Sequence, residues 1–196
     1  MAKRQVTPDD EVGALLIESA SSLLAAEGPE ALTVRRIANE TGKSTMTVYS
    51  RFGDKQGIVE HLFQHGFELL AEALSSVAHT DDPIADLHAA GQAYRRFALE
   101  HTTLYAVMFE GVVPAFQPSP ESFGKGVGTL QVLADLLERA MYAGLLRRID
   151  PLHAAAIVWS TCHGVISLEL KKSEMPIRWE QVYRDACENV VRGLGT

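Results

Sequence analysis

The sequence predicts an all-α protein: a small three-helix module at the N-terminal end, followed by a larger helical body. Three observations predict it. Convincing period-two alternation is missing, and no Asn-Gly or Asp-Gly dipeptide offers a hairpin turn. Apolar residues recur instead at spacings of three and four. Glycine, proline and Ser/Thr/Asp residues fall where such stretches begin and end. At 46% hydrophobic and 22% charged residues the chain lies outside the disordered and collagen-like classes, and 196 residues are enough for two modules.

The first helix is expected to open at Thr7-Pro8-Asp9-Asp10, with Thr7 as cap, Pro8 in the first turn and two carboxylates at the positive end of the dipole. Val12, Leu15, Leu16, Ala20, Leu23 and Leu24 carry its apolar stripe, and Gly28-Pro29 stops it near Glu27. Thr33 caps a short second helix whose stripe is Val34, Ile37 and Ala38 and which ends at Gly42. Ser44 or Thr45 caps the third, with Val48 and Phe52 inward. Gly53-Asp54 breaks the chain, and Asp54 caps a long fourth helix through Ile58, Leu62, Phe67 and Ala73. Further helices are expected at about 83–101, 104–110, 123–143, 151–170 and 176–192, with 112–121 as an irregular loop holding Pro114, Pro118 and Pro120. The domain reading is 1–55 for the front module and 56–196 for the body.

Bulk properties narrow the function. The segment Met1 to Asp10 is polar and charges interrupt every later apolar run, so neither a signal peptide nor a membrane span is expected, and a cytoplasmic location follows. Cys162 and Cys187 are the only cysteines, without Cys-x-x-Cys or a His/Cys cluster at ligand spacing. They read as core thiols, with no disulfide framework, metal or cofactor expected. The net charge is −7, yet 33–55 holds five basic residues (Arg35, Arg36, Lys43, Arg51, Lys55) against two acidic ones (Glu40, Asp54). That segment is +3 and the remainder −10. One small basic face on an acidic body suits a protein that meets phosphate at one place, and equally suits a solvated charged helix.

The second and third helices with their glycine turn are the ingredients of a helix-turn-helix, whose second helix enters the major groove. Ser44, Thr45, Thr47, Tyr49 and Ser50 carry hydroxyls that reach phosphate oxygens or base edges, and Met46 suits a thymine methyl. Lys55 stands at a helix N-terminus, where a cation and free N–H groups together grip a phosphate. Tyr49 is also placed to pack the small core, and Arg35 and Arg36 serve as well in solvent as on DNA.

The stretch Ala14 to Leu70, centred on ALTVRRIANETGKSTMTVYSRFGDKQGIVEHLF, resembles the N-terminal domain of the TetR family of regulators. The matching marks are Thr33-Val34, Ile37-Ala38, Gly42-x-Ser44, Val48-Tyr49, Phe52 and Lys55. The resemblance implies DNA contacts from Thr33, Ser44, Thr45, Thr47, Tyr49 and Lys55. Lys43 and Arg51 depart from the family pattern by adding positive charge, and both join the candidate set.

In the body, Pro151 to Leu170 is apolar nearly all round, and the last helix repeats Trp179, Val182, Tyr183, Ala186, Val190 and Val191 at helical spacing. Periodicity alone fits an intrachain core as well as a two-fold four-helix contact; the resemblance favours the homodimer. Ala93 to Gly111 and Ala154 to Leu170 also resemble the C-terminal domain of a TetR subgroup named for Trp, His and Gly, here Trp159, His163 and Gly164. Such regulators take a small molecule in the body, and the candidate lining is Phe63, Phe67, Phe97, Tyr105, Met108, Phe109, Trp159 and His163. Each is at least as well explained as core. The implied function is a dimeric regulator of a palindromic operator, a repressor released by an effector, with an activator or an effector-free regulator as alternatives. Catalysis is not expected: Cys162 and His163 are adjacent on one helix and point about 100° apart.

Overall fold

The computed structural model describes residues 10–171 and 174–196. Among them the regular structure is helical, with one isolated antiparallel bridge between Leu146 and Gly195. The helices are α1 (Glu11–Glu27), α2 (Val34–Glu40), α3 (Thr45–Phe52), α4 (Lys55–Ser75), α5 (Pro83–Glu100), α6 (Thr102–Tyr105), α7 (Pro120–Tyr142), α8 (Pro151–Lys171) and α9 (Trp179–Gly193). A π turn over Ala106–Glu110 continues α6.

Short polar side chains set most of the helix starts, because the first backbone N–H groups of a helix have no partner within it. Asp10 Oδ1 accepts from Gly13 N (2.8 Å), Thr33 Oγ1 from Arg36 N (3.2 Å), Ser44 Oγ from Thr47 N (3.1 Å) and Asp54 Oδ1 from Gly57 N (3.0 Å). The expected caps Thr33 and Asp54 are in place, and of Ser44 and Thr45 it is Ser44 that caps. Thr7 and Pro8 lie outside the described residues; the cap of α1 is Asp10.

Two later boundaries differ from expectation for local reasons. Helix α7 begins at Pro120 rather than near Phe123, since Ser119 Oγ accepts from Ser122 N (3.2 Å) and proline loses nothing at a first helical position. The expected loop is therefore shorter by two residues at its end. Helix α9 begins at Trp179, three residues after Pro176, with Met175 and Ile177 in the preceding turns.

The chain packs as two compact units, and packing does not pause at residue 55. The first gathers the described residues up to Phe67 with Thr103–Phe123. Its core includes Leu16, Leu32, Ile37, Val48, Phe52, Ile58, Leu62 and Tyr105, all buried. Each such side chain contributes about 1.5–3 kcal/mol through removal from water. The second unit gathers Glu68–Thr102 with Gly124–Thr196. There α8 packs most extensively on α9, and α5 packs on both. Ala154, Ala155, Ile166 and Tyr183 are fully buried in that unit.

Candidate nucleic-acid interface

Helices α1 to α3 and the first turns of α4 build the candidate interface. Helix α3 has eight residues and buries only Val48 and Phe52, so Thr45, Met46, Tyr49 and Ser50 remain outside. Met46 is 72% exposed and Tyr49 52%, so both large side chains are open to a partner. Between α2 and α3, Gly42 has φ +63° with no atom near the place of a Cβ. Conformation, not space, calls for glycine in this turn. Lys43 and Ser44 follow it on the surface, and Ser44 Oγ also lies 2.9 Å from Thr47 Oγ1. Thr33, which caps α2, is exposed as well.

Three basic residues have structural partners. Arg51 is the departure from expectation: its side chain is only 9% exposed, and its guanidinium forks onto Asp10, with Nε to Oδ1 3.2 Å and Nη2 to Oδ2 2.7 Å. Its Nη1 also reaches Thr47 O (3.4 Å). A bidentate pair of this kind fixes α3 against the start of α1, so Arg51 braces the module. The hydrogen bond from Arg51 holds the Asp10 carboxyl below its ordinary range. Lys55 donates one Nζ proton to Pro29 O (2.6 Å), which ties the α1–α2 connection to the start of α4. An ammonium has three donors, so this bond leaves capacity for a phosphate. Arg36 is held by Glu27 (2.6 Å) and Glu40 (3.4 Å) on the surface, whereas Arg35 is simply exposed.

Several contributors carry no signal in the residue pattern. A Cβ on Gly57 would overlap the carbonyl oxygen of Phe52, so only glycine lets α4 turn so closely on α3. Further along α4, the Glu60 carboxylate accepts from Ser119 N (3.1 Å) and from the Ser122 hydroxyl, and Gln64 Nε2 donates to Ser122 Oγ (2.6 Å). Burial raises the Glu60 carboxyl, but the hydrogen bonds from Ser119 and Ser122 outweigh it and hold it below its usual value. This staple joins α4 to the first turn of α7. Ser119-Pro120 could have announced the helix start; nothing local announces Glu60.

The eight body candidates fall into two groups. In the first unit Phe63 and Phe67 meet at 4.9 Å with tilted rings, Phe67 meets Phe109 at 5.5 Å, and Tyr105 meets Phe109 at 5.0 Å. Phe116 extends this cluster from Phe63 at 5.8 Å. Met108 lies against Gly66 so tightly that a Cβ there would overlap its sulfur. In the second unit Phe97 packs on His101, and Trp159 packs on His163 (5.4 Å) while its Nε1 donates to Tyr94 Oη (3.2 Å). The same unit has an open groove of about 520 Å³ among Arg95, Glu169, Trp179, Glu180 and Arg184, none of them an expected lining residue. Cys162 and His163 diverge as their spacing requires, Cys162 toward Cys187 and His163 toward Trp159. Among the described residues no helix is long and apolar enough to cross a membrane, and no group of three His, Cys, Asp or Glu is gathered for a metal.

A short capped helix, a glycine turn and a second capped helix with a hydroxyl-bearing outer face form a helix-turn-helix, the unit that DNA-binding proteins set into the major groove. Comparison with known proteins makes this specific. Residues 16–62 match the family described as bacterial regulatory proteins, tetR family, and 87–190 match the tetracyclin repressor-like C-terminal domain. The chain belongs to the TetR family and is a DNA-binding transcriptional regulator.

Similar solved structures cover nearly the whole chain. A Rhodococcus sp. RHA1 protein of unknown function is 25% identical with a TM-score of 0.80, over 93% of this chain and 95% of that one. The TetR family transcriptional regulator PfmR from Thermus thermophilus is 25% identical with a TM-score of 0.73, over 92% and 99%. The fatty acid degradation regulator FadR from Bacillus halodurans shares the fold at 19% identity and a TM-score of 0.74, over 92% and 95%. No curated protein sequence matches the chain.

Proposed function

We propose that this regulator is a homodimeric repressor that binds a palindromic operator through α3 and is released by a small molecule bound in the body. The observation that carries the DNA half is the exposed face of α3. Its polar side chains are fixed by the Ser44 cap and the Asp10–Arg51 brace, yet Met46 and Tyr49 stand uncovered. Thr33, Lys43, Ser44, Thr45, Met46, Thr47, Tyr49, Ser50 and Lys55 are the proposed contacts. Lys43 and Lys55 serve phosphates, and Met46 a thymine methyl. Arg51 is left out of the set because Asp10 occupies its guanidinium.

The dimer half rests on α8 and α9, where Leu168 (53% exposed), Leu152 (42%) and Val182 (38%) face outward beside half-buried Ala156, Val165, Ala186 and Val190. A two-fold axis would cover these residues with their own copies. Apolar effector binding is supported by the aromatic surroundings of Phe63, Phe67, Tyr105, Met108 and Phe109, and by Phe97, Trp159 and His163 in the second unit. Trp159, His163 and Gly164 also support the Trp-His-Gly subgroup. An effector that prefers one arrangement of the body shifts the population and changes the spacing of the two α3 helices, which must match major grooves about 34 Å apart.

The test is a gel shift of the purified protein on DNA from a random-sequence selection, at two salt concentrations. A preferred palindromic site whose binding weakens with salt supports the reading; a selection that returns no preferred site ends it. Release of that DNA by apolar small molecules then separates an effector-controlled repressor from an effector-free regulator.

A further inference from the structure

The chain has two cysteines, 25 residues apart in sequence, and the fold brings them together. Cys162, on α8, and Cys187, on α9, are both free, and their sulfurs lie 3.4 Å apart. Both are buried, at 5% and 7% exposure. Tyr183 stands beside them, donating its hydroxyl to Gly91 O of α5 (2.6 Å). Gly91 forms the wall opposite: a Cβ there would lie 3.6 Å from Tyr183 Oη and 3.9 Å from Cys187 Sγ.

From this geometry we infer that Cys162 and Cys187 are a thiol–disulfide site, closed by a small hydroperoxide into an intrachain bond that fastens α8 to α9. Two unrelated core thiols would be expected to point into separate apolar surroundings, where they are inert. Here each is the other's polar neighbour. The hydrogen bond between the two sulfurs lowers the Cys162 thiol, and the same bond, with burial, pushes Cys187 up. Cys162 is taken as the first sulfur to react, and the reverse order closes the same bond across the 3.4 Å contact.

The steps balance. Cys162 sulfur attacks the terminal oxygen of the hydroperoxide; the S–O bond forms, the O–O bond breaks, and the alkoxide leaves as the alcohol with the Cys162 proton. Cys187 sulfur then attacks the sulfenic sulfur, forming the S–S bond and releasing water that carries off the Cys187 proton. Two electrons pass from the sulfur pair to one peroxide.

The experiment treats the full native chain with hydrogen peroxide and follows intact mass, free-thiol labelling and peptide mapping. Both thiols are expected to disappear together, with the loss of two hydrogens, a cross-linked Cys162–Cys187 peptide, a single-chain mass on a non-reducing gel and full reversal by dithiothreitol. Cys187→Ser and Cys162→Ser are each expected to abolish the cross-linked peptide and to leave the remaining sulfur as a free thiol or an oxygen adduct. Thiols that survive a peroxide dose sufficient to oxidise glutathione in the same tube overturn the proposal. Separate oxygen adducts on each cysteine of the parent, or a bond between two chains, overturn it as well. The parent protein alone decides these outcomes, even if a serine variant fails to fold.

Discussion

Helix α3 and the α8–α9 pair solve the same problem with opposite outer faces. Each buries a narrow apolar stripe: Val48 and Phe52 in α3, Tyr183, Cys187 and Val191 in α9. Outside, α3 and the turn before it present mostly hydroxyls and Lys43, with Met46 and Tyr49 among them, and the polar groups are ones that water or phosphate satisfies. The α8–α9 surface presents Leu152, Leu168 and Val182, which gain nothing from water and gain from being covered. Burial periodicity alone makes the two alike. The chemistry of the uncovered positions separates the surface proposed for nucleic acid from the one proposed for a second copy of the chain.

The strongest way to break that contrast is to place charge on the apolar face. Leu168→Glu with Val182→Glu is expected to convert the dimer to monomer in analytical ultracentrifugation and to weaken operator binding by roughly a hundredfold or more, since two linked half-site contacts become one. A double variant that stays dimeric sinks the proposed α8–α9 contact.

Next in size are losses at α3 itself. Tyr49→Ala is expected to weaken operator binding by about 1–2 kcal/mol at unchanged thermal stability, because Val48 and Phe52 still hold the helix. Lys55→Ala is expected to weaken binding to all sequences alike and to reduce the salt slope by about one. Since Lys55 also bonds Pro29 O, its melting temperature is measured alongside; a fall in stability with an unchanged salt slope would make Lys55 purely structural. Gly57→Ala should do the reverse of Tyr49→Ala and lower the melting temperature first, because its Cβ would force the Phe52 carbonyl and the α3–α4 turn apart.

These residues also mark how far the sequence could be read. The start of α2 was legible in Thr33 and that of α4 in Asp54, because a cap is a relation between residues three apart. The outer face of α3 was legible for the same reason, since one helix turn relates all its members. The Arg51–Asp10 pair was not: the two residues are 41 positions apart, and only packing of α1 on α3 brings them together. The Cys162–Cys187 contact and the Glu60 staple on Ser119 and Ser122 likewise need tertiary structure. Gly66 and Met108, with the π turn that seats them, depend on the close approach of α4 and α6.

A smaller effect sharpens the comparison by pH. The second unit has its own buried brace, Asp86, which is 2% exposed and accepts from Arg139 Nη1 (2.5 Å) and from Thr80 N (2.9 Å) and Oγ1 (2.7 Å). Burial raises its carboxyl, but the hydrogen bonds from Arg139 and Thr80 outweigh that and hold it at about 2, against an ordinary 3.8. A depressed carboxyl stabilises the fold above its unfolded value and loses that contribution as pH falls toward the folded one. The contribution of Asp86 should therefore be complete at neutral pH and fade between about pH 4 and pH 2. Asp86→Asn should lower the melting temperature at pH 7 and flatten its dependence in that window, while Asp10→Asn should flatten it less, because Asp10 is more open to solvent. Parallel acid profiles for the parent and Asp86→Asn would show that the Asp86 carboxylate does not hold the second unit by charge.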